Sequence, residues 1–123
     1  MSDFEQISTH SGFMKHNGGL LFKVISETES EFKTKINENH LNRAGITHGG
    51  YIASIIDAGI GTGVHRANKN NIFVTISLDI KFIGSTKIGD EIIGKVKIEK
   101  ITNSLVFASC KIESKNKIIA VGS

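Results

Sequence analysis

The sequence predicts an α+β fold in which one long helix is wrapped by a curved, mostly antiparallel sheet of five to six strands. Two observations favour this fold class. Only one stretch, at about residues 49–67, places its apolar residues at the helical period, and the stretches on either side alternate with a period of two. A single amphipathic helix buries its apolar face well against a sheet, which gives two layers. Because such a sheet has open edges, we expect the chain to associate with copies of itself.

The length of 123 residues allows one domain, residues 1–123, and leaves no room for a second core. Within it we expect a core at about residues 18–121, preceded by a short N-terminal helix or arm at residues 1–17. A chain that is 39% apolar and 22% charged is typical of globular proteins, and a net charge of +3 falls short of a nucleic-acid-binding protein. No apolar run is long enough to cross a membrane and residues 1–20 lack a secretion signal, so we expect the cytoplasm.

Metal and disulfide chemistry have little support in the sequence. The single cysteine, Cys110, rules out a disulfide within the chain and a cysteine-based zinc site. The five histidines do not have the spacing of metal ligands. We therefore expect neither a metal nor a bound cofactor.

The N-terminal third predicts a short helix and a hairpin. Ser2 followed three residues later by Glu5 resembles a capping box, which favours a helix over residues 2–7. Residues 20–25 and 32–36 alternate as strands do, and the polar pair at 29–30 is typical of a turn between them.

The long helix is predicted from about Gly49 to Ala67, with Thr47 as its N-cap and the asparagine-rich residues 68–71 as its end. One broad apolar stripe lies along it, formed by Ile52, Ile55, Ile56, Ile60 and Val64. Three glycines at alternate positions, Gly59, Gly61 and Gly63, favour a close approach of this helix to the sheet. Residues 72–82, about 91–101, 104–113 and 117–121 then return to the period of strands.

The start of the helix is the first candidate site. Gly49 and Gly50 occupy its first turn, where backbone N–H groups have no partner within the helix. These groups and the positive end of the helix dipole are suited to hold an oxyanion or a polarised carbonyl. The same pair is also typical of a tight entry from a loop into a helix.

Asp57 is the second candidate, because it is an acid in the middle of a helix otherwise built from small and apolar residues. Helical geometry places it at the edge of the apolar stripe, where a partly desolvated carboxylate is suited to act as a general base. The alternative is an aspartate that faces solvent, or one that pairs with Arg66 or a lysine.

The two candidates are too far apart to act together within one chain. Asp57 lies eight residues beyond Gly49, which is roughly 12 Å along an α-helix. If both take part in one reaction, the site must combine the helix start of one subunit with the helix middle of another. The spacing therefore predicts a dimer.

These residues resemble those of hotdog-fold acyl-CoA thioesterases of the phenylacetate-pathway (PaaI-like) type. The resemblance covers about residues 18–121 and rests on the pattern Asn42-x5-His48-Gly49-Gly50-x6-Asp57, on Val74-Thr75 and on Gly89-Asp90. It implies hydrolysis of a thioester without metal or cofactor, with coenzyme A as part of the substrate. It also implies that two subunits join their sheets, commonly doubled to a tetramer, with two equivalent sites at the dimer interface.

Carried over to this sequence, the resemblance assigns five catalytic residues. The Gly49 N–H would polarise the thioester carbonyl, and Asp57 of the partner chain would act as general base or nucleophile. Thr75 would help to place Asp57 or the water, and Asn42 would hold the water or the carbonyl. His48 would orient the loop or contact the thioester sulfur.

Substrate binding is assigned to Gly50, Arg66 and Lys81. Arg66 and Lys81, together with Lys69 and Lys87, are basic residues that could meet the phosphates of coenzyme A, although a solvated basic surface explains them as well.

Two alternatives keep the same fold. A hotdog dehydratase or hydratase would pair a catalytic histidine with a helical acid in a different motif. A non-catalytic acyl-CoA-binding protein would lack either the aspartate or the glycines at the helix start. The nature of the acyl group stays open in each case.

Overall fold

The computed structural model describes residues 3–123, and in this part of the chain one long helix packs against a seven-stranded sheet. All strand pairs are antiparallel, in the order β1-β2-β3-β5-β6-β7-β4. The predicted α+β hotdog fold is confirmed, with one strand more than the five to six expected. The elements are β1 (Glu5–Ile7), α1 (Phe13–His16), β2 (Leu20–Val24), β3 (Glu29–Lys35), α2 (Gly49–Ala67), β4 (Ile80–Phe82), β5 (Glu91–Ile101), β6 (Val106–Ser114) and β7 (Lys117–Gly122), with a 3-10 turn at Glu38–His40.

The helix predicted over residues 2–7 is wrong where the structure describes it. Glu5–Ile7 form β1, which pairs antiparallel with β2; Ser2, the expected cap, lies outside the described residues. Ile7 is buried in the core, so pairing with a distant strand outweighs a local capping pattern. The first helix is instead the single turn at Phe13–His16.

The hairpin of β2 and β3 is confirmed, but its turn comes earlier than predicted. The Ile25 N–H donates to the carbonyl of Glu29 at 2.9 Å, and the Ser26 hydroxyl accepts from the N–H groups of Thr28 and Glu29. This side chain closes the turn at residues 26–28, which leaves Glu29 as the first residue of β3.

Helix α2 has the bounds that its sequence predicts, and its apolar stripe faces the sheet. Four members of the stripe are buried and Ile60 is half-buried. The four isoleucines of the stripe share one core with residues from β2, β3, β5, β6 and β7, including Phe22, Phe32, Ile92, Ile112 and Ala120.

Two glycines create the space for the most enclosed aromatic ring. Phe32 of β3 is fully buried, and a Cβ added to Gly59 of α2 would lie 2.2 Å from its ring. A Cβ added to Gly94 of β5 would lie 2.0 Å from the same ring. Phe32 is therefore clamped between helix and sheet, so the predicted close approach holds for Gly59. Gly61 differs, because a Cβ there would meet only open space.

Residues 72–82 were predicted to be one strand, but only Ile80–Phe82 form one. Strand β4 pairs with β7 from Ile80, which lies opposite Gly122, to Phe82. Within the described chain, residues 72–78 pair with no strand. The apolar alternation is nonetheless present and faces outward, since Ile72, Val74 and Ile76 are 96%, 80% and 77% exposed. We call residues 72–78 the outer segment.

Gly59→Ala should destabilise the protein by about 1–3 kcal/mol, the usual cost of overpacking a core. This cost exceeds the gain of up to about 1 kcal/mol that alanine brings to a helix interior. Urea unfolding of Gly59→Ala, Phe32→Leu and the double variant measures it. The double variant should cost less than the sum of the single variants, because the smaller side chain makes room for the new methyl group. Strict additivity would contradict the clamp.

Candidate active site

At the start of α2, all but one of the first N–H groups donate a hydrogen bond. His48 is the N-cap, and its Nδ1 accepts a hydrogen bond from the Gly50 N–H at 2.7 Å. The N–H groups of Tyr51 and Ile52 both donate to the His48 carbonyl. Within the described residues the Gly49 N–H has no partner. This end of the helix therefore presents one open donor, at Gly49.

Gly50 is part of the cap. A Cβ at this position would lie 2.9 Å from Nδ1 of His48, so a side chain would push the imidazole away. Its N–H is already bonded to that ring. The sequence-based expectation that both glycines offer a donor is thus met by Gly49 alone.

Thr47, the predicted N-cap, has a different task. The Thr86 hydroxyl donates to the Thr47 hydroxyl at 2.7 Å, and the Thr47 hydroxyl donates to the Thr86 carbonyl. The Thr47 N–H donates to the same carbonyl at 2.8 Å. Both threonines are buried. This pair, which we call the threonine clasp, joins the loop before α2 to the loop after β4.

Asn42 is fixed by its own loop. Its Oδ1 accepts from the N–H groups of Ala44 and Ile46 at 2.9 and 3.2 Å. Because the side-chain oxygen is used in this way, its NH2 group remains the available donor. Asn42 and Gly49 line one cleft of about 230 Å³ together with Phe82. We call it the Gly49 cleft.

A buried aromatic pair connects the start of α2 to the 3-10 turn that precedes it. The rings of His40 and Tyr51 stack at 3.8 Å between centroids with an interplanar angle of 12°. The His40 carbonyl accepts from the His48 N–H, and the His40 ring is bonded to the Asn37 N–H and the Asn17 carbonyl. Burial raises the pKa of Tyr51 above its usual range, while the hydrogen bond with Thr34 acts in the opposite direction.

Asp57 lies in a separate groove. Its Oδ1 accepts a hydrogen bond from the Thr75 hydroxyl at 2.6 Å. The groove has a volume of about 270 Å³ and is lined by α2, by the outer segment and by the start of β6. We call it the Asp57 groove. Asp57 is exposed in the single chain, so the desolvation expected from its place beside the stripe is not supplied by its own subunit.

The structure groups the predicted catalytic residues into two sets. Asn42, His48 and Gly49 lie together at the helix start, and Asp57 and Thr75 lie together beside the helix middle. Gly49 and Asp57 belong to the same uninterrupted helix. The separation of roughly 12 Å along its axis therefore holds in the folded chain.

The two predicted basic residues belong to neither set. Arg66 forms an ion pair with Glu5 and lies over the ring of Phe22. It follows Asp57 by nine residues, which places it on the opposite side of the helix. Lys81 is largely exposed, with its Nζ 3.9 Å from the Asp79 carboxylate. Neither side chain lines the Gly49 cleft or the Asp57 groove.

Sequence analysis missed the threonine clasp and the support from His40 and Tyr51. Both depend on pairings between distant loops and elements, which have no periodic signal. Within residues 3–123 no group of three or more His, Cys, Asp or Glu side chains is placed to hold a metal ion. None of the helices described there has the length and apolar character needed to span a membrane.

Comparison with known proteins finds the same architecture. The thioesterase superfamily model matches residues 44–120. Mouse acyl-coenzyme A thioesterase 13 is 31% identical over 90 residues, which is 72% of this chain and 64% of that protein. The structure of zebra fish thioesterase superfamily member 2 has a TM-score of 0.84 at 24% identity, covering 92% of this chain and 83% of that one. A mutant of the phenylacetic acid degradation protein PaaI from Thermus thermophilus has a TM-score of 0.78 at 15% identity, covering 87% and 90%.

His48→Ala should lower the free energy of unfolding by about 1 kcal/mol, because the Gly50 N–H loses its acceptor. His48→Asn should largely restore it, since asparagine is among the best N-cap residues. Chemical denaturation of the two variants measures the difference. Equal destabilisation by alanine and asparagine would show that the ring does not stabilise the fold as a cap.

Proposed function

The chain belongs to the thioesterase superfamily, and from that premise we propose that it hydrolyses acyl-CoA thioesters to the free acid and coenzyme A at a site shared by two subunits. The proposal rests on one observation: two different chemical groups lie at separate positions on one helix. The helix start offers an open N–H, at Gly49, and the helix middle carries a carboxylate held by a threonine. The distance between them requires that each works with its counterpart from another chain.

The Gly49 cleft is suited to the carbonyl of the thioester. Attack on that carbonyl places negative charge on its oxygen, and a fixed N–H at the positive end of a 19-residue helix stabilises such charge. The Asn42 NH2 group is a second donor in the same cleft, since its partner atom Oδ1 is bonded to the loop. The cap holds His48 so that Nδ1 accepts, which leaves the Nε2–H of the neutral ring to donate to the sulfur.

Asp57 of the partner subunit supplies the second catalytic group of the proposed site. As general base it takes a proton from water, whose oxygen then bonds to the carbonyl carbon. The tetrahedral intermediate collapses, the carbon–sulfur bond breaks and the thiolate of coenzyme A leaves with the electron pair. As nucleophile, the carboxylate would attack the carbon directly and form an anhydride that water then cleaves. The Thr75 hydroxyl, bonded to Oδ1, fixes the carboxylate for either route.

Assembly through the sheet supports this arrangement. The outer segment exposes Ile72, Val74 and Ile76 in the single chain and leads into β4, at the edge of the sheet. Pairing of two such edges would cover these side chains and extend the sheet across both subunits. The Asp57 groove, which the outer segment lines, would then face the partner. We propose that the catalytic unit is a dimer, that two dimers form a tetramer, and that the protein acts in the cytoplasm.

The apolar part of the Asp57 groove suits the acyl group. It is lined by Ile60, Val64, Leu105 and the apolar side chains of the outer segment, and Gly61 keeps its floor open. A hotdog dehydratase is less well supported, because the nitrogen of His48 that faces the helix is used for capping.

Asp57→Asn and Asp57→Ala should each lose at least about 10²-fold in turnover of acyl-CoA, the lower range for a positioned base. Asparagine keeps an oxygen that accepts from Thr75 but has no basic carboxylate, so it isolates the chemistry from the local packing. A panel of acyl-CoA substrates with a thiol-reactive dye measures the released thiol. Wild-type turnover by Asp57→Asn would remove this residue from the mechanism.

Mixing inactive Gly49→Val and Asp57→Ala subunits should restore part of the activity. Each mixed dimer regenerates one intact site from the unaltered Gly49 of one chain and the unaltered Asp57 of the other. Subunit exchange is verified by a tag on one chain, and activity is compared with each variant alone. No recovery despite confirmed exchange would contradict the shared site.

A further inference from the structure

A second cavity lies next to the Gly49 cleft. It has a volume of about 260 Å³ and shares Ile46, Ser85 and Thr86 with the Gly49 cleft. Its other walls include three lysines: Lys87 and Lys115 from loops, and Lys117 from the start of β7. We call these three residues the lysine rim. The cleft that contains Gly49 and the cavity that contains the rim are thus neighbours in the same chain.

The rim carries uncompensated positive charge. Asp90 accepts a hydrogen bond from the Lys87 N–H at 3.0 Å, and its other oxygen lies 3.1 Å from Nζ of Lys115. The Lys87 N–H and then Lys115 hold the pKa of Asp90 below its usual range, so the carboxylate is ionised and balances one lysine. Within residues 3–123 the side-chain amino groups of Lys87 and Lys117 have no ion-pair partner. The charge of Lys87 also acts on Asp90, but three lysines beside one carboxylate still leave a net positive charge at this cavity. Such a charge attracts a multiply charged anion.

The threonine clasp sets the distance between the rim and Gly49. Thr47 precedes Gly49 by two residues, Thr86 directly precedes Lys87, and the two threonines share a backbone hydrogen bond of 2.8 Å. Residue steps of at most about 3.8 Å therefore place the Lys87 backbone within roughly 12 Å of the Gly49 N–H. A lysine side chain extends the reach by about 6 Å, to roughly 18 Å in all.

The pantetheine arm of coenzyme A is long enough to reach a lysine within this limit. About 13 bonds separate its sulfur from the first phosphorus, and an extended chain of that length covers roughly 15 Å, at about 3.5 Å for every three bonds. A thioester carbonyl bound at Gly49 therefore brings the phosphates within reach of the rim.

We propose that the lysine rim binds the phosphate groups of coenzyme A while the thioester carbonyl lies at Gly49 of the same chain. This inference rests on the proposed hydrolysis of acyl-CoA and adds which side chains hold the leaving group. Of the four basic residues that sequence analysis considered for this task, it keeps Lys87 and adds Lys117. Arg66 and Lys81 line neither cavity.

The double variant Lys87→Ala/Lys117→Ala tests the rim. Three thioesters of one acyl group are compared: acyl-CoA, acyl-dephospho-CoA and acyl-pantetheine. The variant should raise KM for acyl-CoA about tenfold or more, as expected for the loss of charged contacts to phosphate. The effect should be smaller for acyl-dephospho-CoA and absent for acyl-pantetheine, with kcat unchanged for all three.

The matched control is Lys97→Ala/Lys111→Ala, which removes the same charge from exposed positions of β5 and β6 that line neither cavity. It should leave KM unchanged. An unaltered KM for acyl-CoA in the rim variant, or an equal rise for acyl-pantetheine, would overturn the proposal.

A binding measurement separates this proposal from the proposed function. Calorimetry with desulfo-CoA, which cannot be hydrolysed, should show about tenfold weaker binding to the rim variant than to the control. If wild type hydrolyses none of the thioesters but binds desulfo-CoA through the rim, the proposed function fails and the rim stands. Binding that is equal in both variants overturns the rim.

Mixed dimers test the assignment to one chain. In a mixture of Gly49→Val and Asp57→Ala subunits, the only complete site uses the Gly49 of the Asp57→Ala chain. Rim substitutions should therefore raise KM when they are placed in the Asp57→Ala chain and have no effect in the Gly49→Val chain. An equal effect in both chains would contradict the assignment.

Discussion

The rigidity of α2 is the constraint on which the rest of the molecule depends. A helix of 19 residues that is packed along its length against a sheet does not bend enough to bring its start and its middle together. Gly49 and Asp57, the two groups of the proposed reaction, lie on this one helix, so their spacing is fixed when the helix forms. The clamp of Phe32 between Gly59 and Gly94 holds the helix close to the sheet and fixes its height above it. The proposed need for a second subunit follows directly from this geometry.

At the helix start, two adjacent glycines have different reasons to be glycine. Gly50 makes room for the imidazole that caps it, and Gly49 keeps an N–H without a partner in the described chain. His48 therefore determines which amide remains free, because it occupies the next one along. The buried stack of His40 on Tyr51 and the threonine clasp hold this arrangement from two sides. Preorganisation of this kind is what electrostatic stabilisation of a transition state requires.

Much of the fold could be predicted from the sequence, because the burial of apolar side chains leaves a periodic record. Helix α2 and strands β5 to β7 have nearly the bounds that their periodicity indicates. Prediction failed where distant partners decide the outcome. Strand β1 is only three residues long and exists through its pairing with β2. Thr47 is a good N-cap by type, yet its hydroxyl is bound to Thr86, 39 residues away in the sequence.

The candidate site, like the fold, could be predicted only in part from the sequence. Gly49 and Asp57 could be selected because residue type and helical spacing restrict what they can do. The lysine rim could not be selected as a group, because its members come from separate parts of the chain and resemble the many other lysines on the surface. Sequence analysis named Lys87, but together with Arg66, Lys69 and Lys81. Only the folded chain distinguishes lysines that face a depression from lysines that face open water.

The outer segment has a consequence for the newly made chain. Its exposed isoleucine and valine side chains alternate beside an unpaired sheet edge, which is the pattern that recruits strands of unrelated proteins and begins aggregation. Asp79 and Lys81 follow it directly, and charges at such borders act as gatekeepers that disfavour wrong pairing. Two charged side chains at the border of this segment thus disfavour wrong pairing of a freshly synthesised chain.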